Sequence, residues 1–282
     1  MIKYVAVADA FANQYTGGAE LTTRAILQRK DSEVLRVNSH TLTDQFIEDN
    51  KDKTWFIFNF SNVEEKMLIK IAKTVKYSIV EYDYKFCKYR SPELHQLKEG
   101  KPCDCMEQGI SSKIKLLFYG YAKKVWFMSE VQRKIFLDHV KSLKPEKTEV
   151  LSSVFLDGDL YFMNSISGNE KNSKYLILNS NSWIKGTSQC IEHAKSNGID
   201  YELVSGLSYH ELLIKMSTSK GLIFRPLGGD TCPRIVIEAK LLGCDILMND
   251  NVQHKFEDWF STKELCEQYL KTRVDTFWRL YE

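Results

Sequence analysis

Two carboxylates eight positions apart, Asp230 and Glu238, stand on either side of a helix start rich in glycine and proline. The stretch around them reads strand, turn, helix, strand. Gly221 to Phe224 is a short apolar run suited to a buried strand. Pro226, Gly228 and Gly229 break it into a turn. Pro233 suits a helix start, because its missing N–H costs nothing there. The helix Arg234 to Leu242 stops at Gly243, and Cys244 to Met248 is the next strand. A turn at the carboxyl end of a parallel strand, feeding a helix N-terminus, presents free N–H groups and a positive dipole end. That is chemistry for a phosphorylated ligand. Arg225, Gly228, Gly229, Thr231 and Arg234 are the candidate contacts on this turn.

Two further loops offer the same chemistry. Tyr4 to Ala8 reads as a first strand, and Gly17 and Gly18 precede a helix over Leu21 to Arg29. The glycines leave room for a diphosphate at the helix start, although a plain strand-to-helix turn has the same composition. Tyr175 to Leu178 is a strand whose exit carries Lys185 and Gly186 before a helix over Ser188 to Ser196. Asp157-Gly158-Asp159 imitates a metal-binding acidic word, but turns favour Asp and Gly, and it reads as a turn.

Thiols are the other reactive group. Cys87, Cys103 and Cys105, three of the seven cysteines, fall within 19 residues, with His95 between them. Such a set can ligate zinc or an iron–sulfur cluster, yet its spacing follows no standard zinc ribbon, and plain buried or loop thiols give the same sequence.

These words together resemble the family 4, retaining, B-type glycosyltransferases. The acid pair of that family is Glu-x7-Glu, here with Asp230 first; Ile237-Glu238-Ala239 followed by a Gly and a strand also matches. The resemblance implies that Asp230 lies by the transferred sugar and that Glu238 holds the ribose. Gly17-Gly18-Ala19-Glu20 looks like the family's loop facing the nucleotide sugar. Lys185-Gly186 resembles the word whose cations grip the diphosphate, so Lys185 would neutralise the leaving group. The family's partner Arg is missing: Ser180 or Asn181 lies about where it would be, and Arg225 or Arg234 would compensate. Tyr82, or Glu81 with the gap shifted, stands where a subset of the family has a sugar-facing His. Catalysis is thereby expected from Asp230, Lys185 and Glu238. Substrate contacts are expected from Gly17, Gly18, Tyr82, Gly186, Arg225, Gly228, Gly229, Thr231 and Arg234. The transfer is expected to use no metal and no cofactor beyond the donor.

The elements that must position these residues alternate along the chain. Val34 to Val37, Trp55 to Phe60, Tyr77 to Tyr82, Lys124 to Met128 and Glu149 to Phe155 read as strands. Glu64 to Thr74, Ile114 to Tyr121 and Glu130 to Lys141 read as helices, the last capped by Ser129. Strand–helix alternation implies a parallel, doubly wound sheet. At 282 residues two domains are natural. The expected fold is α/β, two Rossmann-like domains facing a cleft. Residues 1–165 would form an acceptor-side domain and 173–265 a smaller nucleotide-sugar domain. Residues 266–282 would be a terminal helix returning to the first domain, as the family's last helix does.

The net charge is 39 − 37 = +2 with lysines and acids interleaved, which offers no stripe for nucleic acid. No apolar run reaches the roughly 20 residues of a membrane span, and the N-terminus reads as a strand, so a cytoplasmic protein is expected. The expected partners are a nucleotide-sugar donor and a glycan, lipid-linked or protein acceptor. Two alternatives stay open. One is a non-catalytic binding or scaffold protein on the same fold, suggested by Asp at 230, the missing Arg and the missing His. The other is a metal or redox role for the cysteines.

Overall fold

The computed structural model describes residues 1–107, 109–180, 182 and 185–282. The chain divides into two compact units: Met1–Val154 with Thr276–Glu282, and Phe155–Asp275.

In unit 1 the chain runs β1 (Tyr4–Ala8), α1 (Gly18–Gln28), β2 (Val34–Asn38), α2 (Asp44–Asp49), β3 (Thr54–Ile57), α3 (Glu65–Thr74) and β4 (Lys76–Glu81). It continues through α4 (Pro92–Glu99), α5 (Ile110–Tyr121), β5 (Val125–Phe127), α6 (Glu130–His139) and β6 (Thr148–Val150). The strands form one sheet in the order β2-β1-β3-β4-β5-β6, every pair parallel. All five residues of β1 are buried, as a central strand covered on both faces requires. The chain winds first to β2 and then returns past β1 to β3. The carboxyl ends of β1 and β3 are therefore the point where the winding reverses.

Unit 2 runs α7 (Asp157–Ile166), β7 (Tyr175–Leu178), α8 (Thr187–Ser196), β8 (Tyr201–Val204), α9 (Tyr209–Ser217), β9 (Gly221–Phe224), α10 (Arg234–Leu241), β10 (Asp245–Met248) and α11 (Lys263–Lys271). Its four strands, also all parallel, lie in the order β10-β9-β7-β8, so this sheet reverses between β7 and β9. Ser208 and Glu211 close a reciprocal capping box at the start of α9, which fixes where the chain turns from β8 into that helix.

The last helix, α12 (Arg273–Trp278), delivers the chain end to unit 1. Trp278 is fully buried there. Its indole Nε1 donates to the Ile26 carbonyl at 2.8 Å, and its ring meets Tyr4 and Phe56 edge-on at 5.1 and 5.5 Å.

Three helices were not legible beforehand: α2, α4 and α7. Asp157 and Asp159 do not form a turn; they open α7, where acids favour the positive end of the helix. The strand expected over Glu149 to Phe155 is only Thr148–Val150. Leu151 and Ser152 both donate to the Phe127 carbonyl, at 2.8 and 3.2 Å, and Ser152 takes the left-handed φ of 64°, which ends the ladder. Among the described residues no helix is long and apolar enough to cross a membrane.

Candidate functional site

The reversal point of the unit 2 sheet brings Lys185 and Asp230 together. Lys185 follows β7 and Asp230 follows β9, and Lys185 Nζ lies 2.6 Å from Asp230 Oδ2. Lys185 is partly exposed and also stands over the Phe224 ring at 5.7 Å. Local structure holds both loops. Thr187 Oγ1 donates to the Leu178 carbonyl at 2.9 Å, tying the start of α8 to the strand it follows. Gly186 has φ 67°, and a Cβ there would fall 2.0 Å from the Arg225 carbonyl oxygen. The Lys185 loop can thus lie on the end of β9 only because residue 186 is glycine. The Arg225 N–H donates to Cys190 Sγ at 3.2 Å, closing the same seam from α8.

On the other side, Asn249 and Asn251 each donate a side-chain N–H to the Pro226 carbonyl, at 3.0 and 2.8 Å. The Asp230 N–H donates to the Asn251 carbonyl at 2.8 Å, and the Gln253 N–H donates to the Asp230 carbonyl at 3.1 Å. The Asp230 backbone is bound from both directions, so its carboxylate is presented from a fixed point. Gly228, Gly229 and Thr231 of the same turn are buried, while Arg225 is half-buried. Ser180 spends its backbone on Thr187, and Asn181 lies outside the described residues.

Glu238 and Arg234 occupy a different setting. Glu238 is 3% exposed and Arg234 is 5% exposed. Arg234 Nε lies 3.4 Å from Glu238 Oε1, its Nη2 lies 3.9 Å from Asp159 Oδ2 and 3.3 Å from the Tyr209 hydroxyl, and its guanidinium stacks 3.7 Å over the Phe155 ring. Burial pushes the Glu238 carboxyl up against the pull of Arg234. Arg234 was expected as a cation open to the diphosphate; instead two carboxylates and an aromatic face hold it inside unit 2. Glu238 was expected to face a ribose, and it too lies in this packed network. Glu238 Oε1 is buried, has no hydrogen-bond partner and faces Arg234 Nε as an ion pair. Asp159, read in the sequence only as part of a turn, and Tyr209, not singled out there, complete the network; the contact needs α7 and α9 side by side.

In unit 1 the start of α1 is already occupied by an acid. Glu20 is nearly buried and its carboxylate accepts the backbone N–H groups of Gly17 and of Glu20 itself. Burial, with the Asp9 charge nearby, raises its pKa. A Cβ on Gly17 would lie 2.5 Å from Glu20 Oε2, so the glycine makes room for the protein's own carboxylate. Gly17, expected at a diphosphate, packs here against the protein's own carboxylate. Asp9, at the end of β1, accepts from Ser61 N and Asn62 N at 3.1 Å each and from Ser39 Oγ, stitching the loops at the reversal point of this sheet. The Tyr82 hydroxyl lies 2.7 Å from Thr23 Oγ1 on α1. Glu81 is fully buried between Lys85 Nζ, 2.9 Å away, and the Tyr119 hydroxyl, 2.5 Å away. A cavity of about 290 Å³ opens beside this network, bordered by Phe60, Ser61, Lys85, Lys88, Arg90 and Lys115.

No protein-family model matches this sequence. No curated protein matches it either. Solved structures do. Anabaena HepE, in complex with UDP and glucose, superposes with a TM-score of 0.61 at 10% identity, over 100% of this chain and 98% of that one. The fold is that of the B-type glycosyltransferases. A trehalose-6-phosphate structure from E. coli, bound with UDP-2-fluoro glucose, gives 0.57 at 10% identity over 98% and 95% of the two chains. A UDP-forming trehalose-phosphate synthase from Burkholderia xenovorans gives 0.55 at 8% identity over 100% and 98%. At such identities the likeness carries the chain path of a B-type glycosyltransferase, and the chemistry rests on side chains.

Proposed function

We propose that this chain transfers a sugar from a nucleotide diphosphate sugar to an acceptor hydroxyl, with retention of configuration and without a metal in the transfer step. The observation that carries the reading is the Lys185–Asp230 pair, 2.6 Å apart at the reversal point of the unit 2 sheet. In α/β folds that point is where ligands bind. Lys185 exchanges its carboxylate partner for the donor's diphosphate, and its charge stabilises the leaving group most when negative charge has built up there. Asp230, released, accepts hydroxyl protons of the sugar. The amide groups of the turn holding Gly228 and Gly229 add N–H donors. Glu238 Oε1, the acceptor with no hydrogen bond, is the ribose contact in this reading. Uridine is the base to test first, since the structures from Anabaena and E. coli hold UDP or a UDP-sugar. We assign the acceptor to unit 1, where Lys85, Lys88, Arg90 and Lys115 border a cavity.

The test is calorimetric titration of the protein with UDP and other nucleoside diphosphates, followed by an assay for sugar release from the nucleotide sugar that binds. Binding that weakens on Lys185→Ala, with release abolished in the same variant, supports the reading. No binding of any nucleotide or nucleotide sugar at millimolar concentration sinks it.

The burial of Glu238 against Arg234 favours a second reading, a nucleotide-sugar binder without transferase activity on the same fold. Binding with no release of sugar, and no transfer to added acceptors, selects that alternative.

A further inference from the structure

Among the described residues between β4 and α5, within 82–109, one short helix, α4, forms, and they hold their shape without a sheet. Four side chains from this segment converge. One ligand atom from each of Cys87, His95, Cys103 and Cys105 lies within 4.8 Å of the other three. His95 Nδ1 is 3.7 Å from Cys87 Sγ and 3.5 Å from Cys105 Sγ. A tetrahedral zinc ion with Zn–S near 2.3 Å and Zn–N near 2.05 Å sets its sulfur–nitrogen edges at about 3.6 Å and its sulfur–sulfur edges at about 3.8 Å. The observed sulfur–nitrogen edges fit that tetrahedron.

The surroundings fit as well. His95 is 1% exposed, and its second nitrogen, Nε2, is buried, makes no hydrogen bond and faces Asp104 Oδ1 at 3.6 Å. A carboxylate near the far nitrogen is a common support for a ligating imidazole, and Asp104 lies close enough to take that place after a small movement. The Lys88 backbone N–H points at Cys105 Sγ at 3.5 Å, a contact that stabilises a thiolate. Local structure aims the ligands. Ser91 caps α4, with Pro92 at its first position, and that helix presents His95 four residues past its cap. Gly100, φ 69°, ends the helix and turns the chain back toward Cys103. Arg90, the residue just before the cap, holds φ 60° and is bonded to Asp83 and Ser61. Cys87 and Cys103 are buried.

We propose that Cys87, His95, Cys103 and Cys105 form a structural zinc site that staples the loop between β4 and α5. All four positions of the tetrahedron come from the protein, so the ion has no open position for a substrate. Binding displaces the three thiol protons to solvent and requires no oxidant or reductant. The site borders the unit 1 cavity through Cys87, Lys88 and Arg90 but supplies no group to the Lys185–Asp230 site, and metal content and nucleotide binding are read separately, so either proposal can fail without the other.

The full chain, purified without chelator from zinc-supplemented cells, is analysed by elemental mass spectrometry. We expect about one equivalent of zinc per chain. Cys103→Ser and His95→Ala should lose it, whereas Cys232→Ser, outside the cluster, should keep it. If the cluster variants are insoluble, the wild type alone decides. Titrating its thiols with a mercurial should release zinc in step with cluster thiols. Cobalt(II) exchanged into the protein should show the intense visible bands of a tetrahedral site and a thiolate charge-transfer band. Metal-free wild type that reacts at all seven cysteines, or zinc retained in Cys103→Ser, overturns the proposal. A disulfide between any two of these cysteines in freshly purified protein does so too.

Discussion

Gly186 and the Arg225 carbonyl meet where no other residue fits: a Cβ at 186 would stand 2.0 Å from that oxygen, and the φ of 67° disfavours any side chain besides. The contact seats the Lys185 loop on the end of β9. Gly198 and Gly206 also have positive φ, but a Cβ at either meets nothing within 4 Å. Replacing Gly198 or Gly206 by Ala should therefore cost only the backbone term, about 1–2 kcal/mol. Gly186→Ala should cost more, and it should weaken nucleotide binding. Urea unfolding of the three variants, with calorimetry of the first, gives the ranking.

Lys185 and Asp230 form a partly exposed pair, so the fold has little invested in it. Lys185→Ala should change unfolding free energy by roughly 0–1 kcal/mol. Its effect on UDP affinity should be about tenfold or larger, near 1.4 kcal/mol, since a charge–phosphate contact is lost. Equal losses in stability and binding would mark Lys185 as a structural residue.

Arg234 is the opposite case. Arg234→Met leaves Glu238 and Asp159 buried beside each other with their cation gone, at a cost of about 3–5 kcal/mol. Adding Glu238→Gln should return part of that loss, because one of the two stranded charges disappears. A double-mutant cycle by denaturant unfolding checks the coupling; additive losses would contradict a shared network.

His254 supplies a pH dependence. It is fully buried between the rings of Trp259 and Phe260, neither ring nitrogen has a hydrogen bond, and burial lowers its pKa from 6.5 to about 3. The folded state holds it neutral, while the unfolded chain takes a proton below 6.5. Its contribution is therefore intact above that pH and is lost progressively as the pH falls toward 3. Between pH 8 and pH 5 the loss should be about 2 kcal/mol. His254→Leu should flatten that part of the stability–pH curve, measured by urea unfolding at each pH.

Trp278 closes unit 1 from the far end of the sequence. Trp278→Ala opens a cavity among Tyr4, Phe56 and Phe277 and strands the Ile26 carbonyl, at about 3–5 kcal/mol. Deleting residues 276–282 should be at least as damaging. Thermal unfolding should show the loss in both variants.

The strands and most helices were legible because they are buried on two faces or carry strong stops. Tyr4–Ala8 is apolar throughout, and Gly243 ends its helix. The Lys185 and Asp230 loops were legible from their place after β7 and β9. What escaped was of two kinds. The short helices α2 and α4 carry little periodicity in six and eight residues, and their caps, Thr43 and Ser91, look like ordinary loop residues. The burial of Glu238 escaped because Arg234 and Glu238, four apart on one helix face, read as phosphate and ribose contacts when taken singly. Only tertiary packing against Phe155, Asp159 and Tyr209 shows that they answer each other. Glu20 reads in the sequence as a neighbour of two glycines, yet its own carboxylate is what fills the start of α1.

Because Thr276–Glu282 belongs to the same unit as residues 1–154, the chain leaves that unit once and comes back to finish it. A ribosome delivers the intervening 121 residues, Phe155–Asp275, before it delivers Trp278. The six-stranded sheet must therefore wait, with the faces of Tyr4 and Phe56 uncovered, while the later-made unit is free to fold.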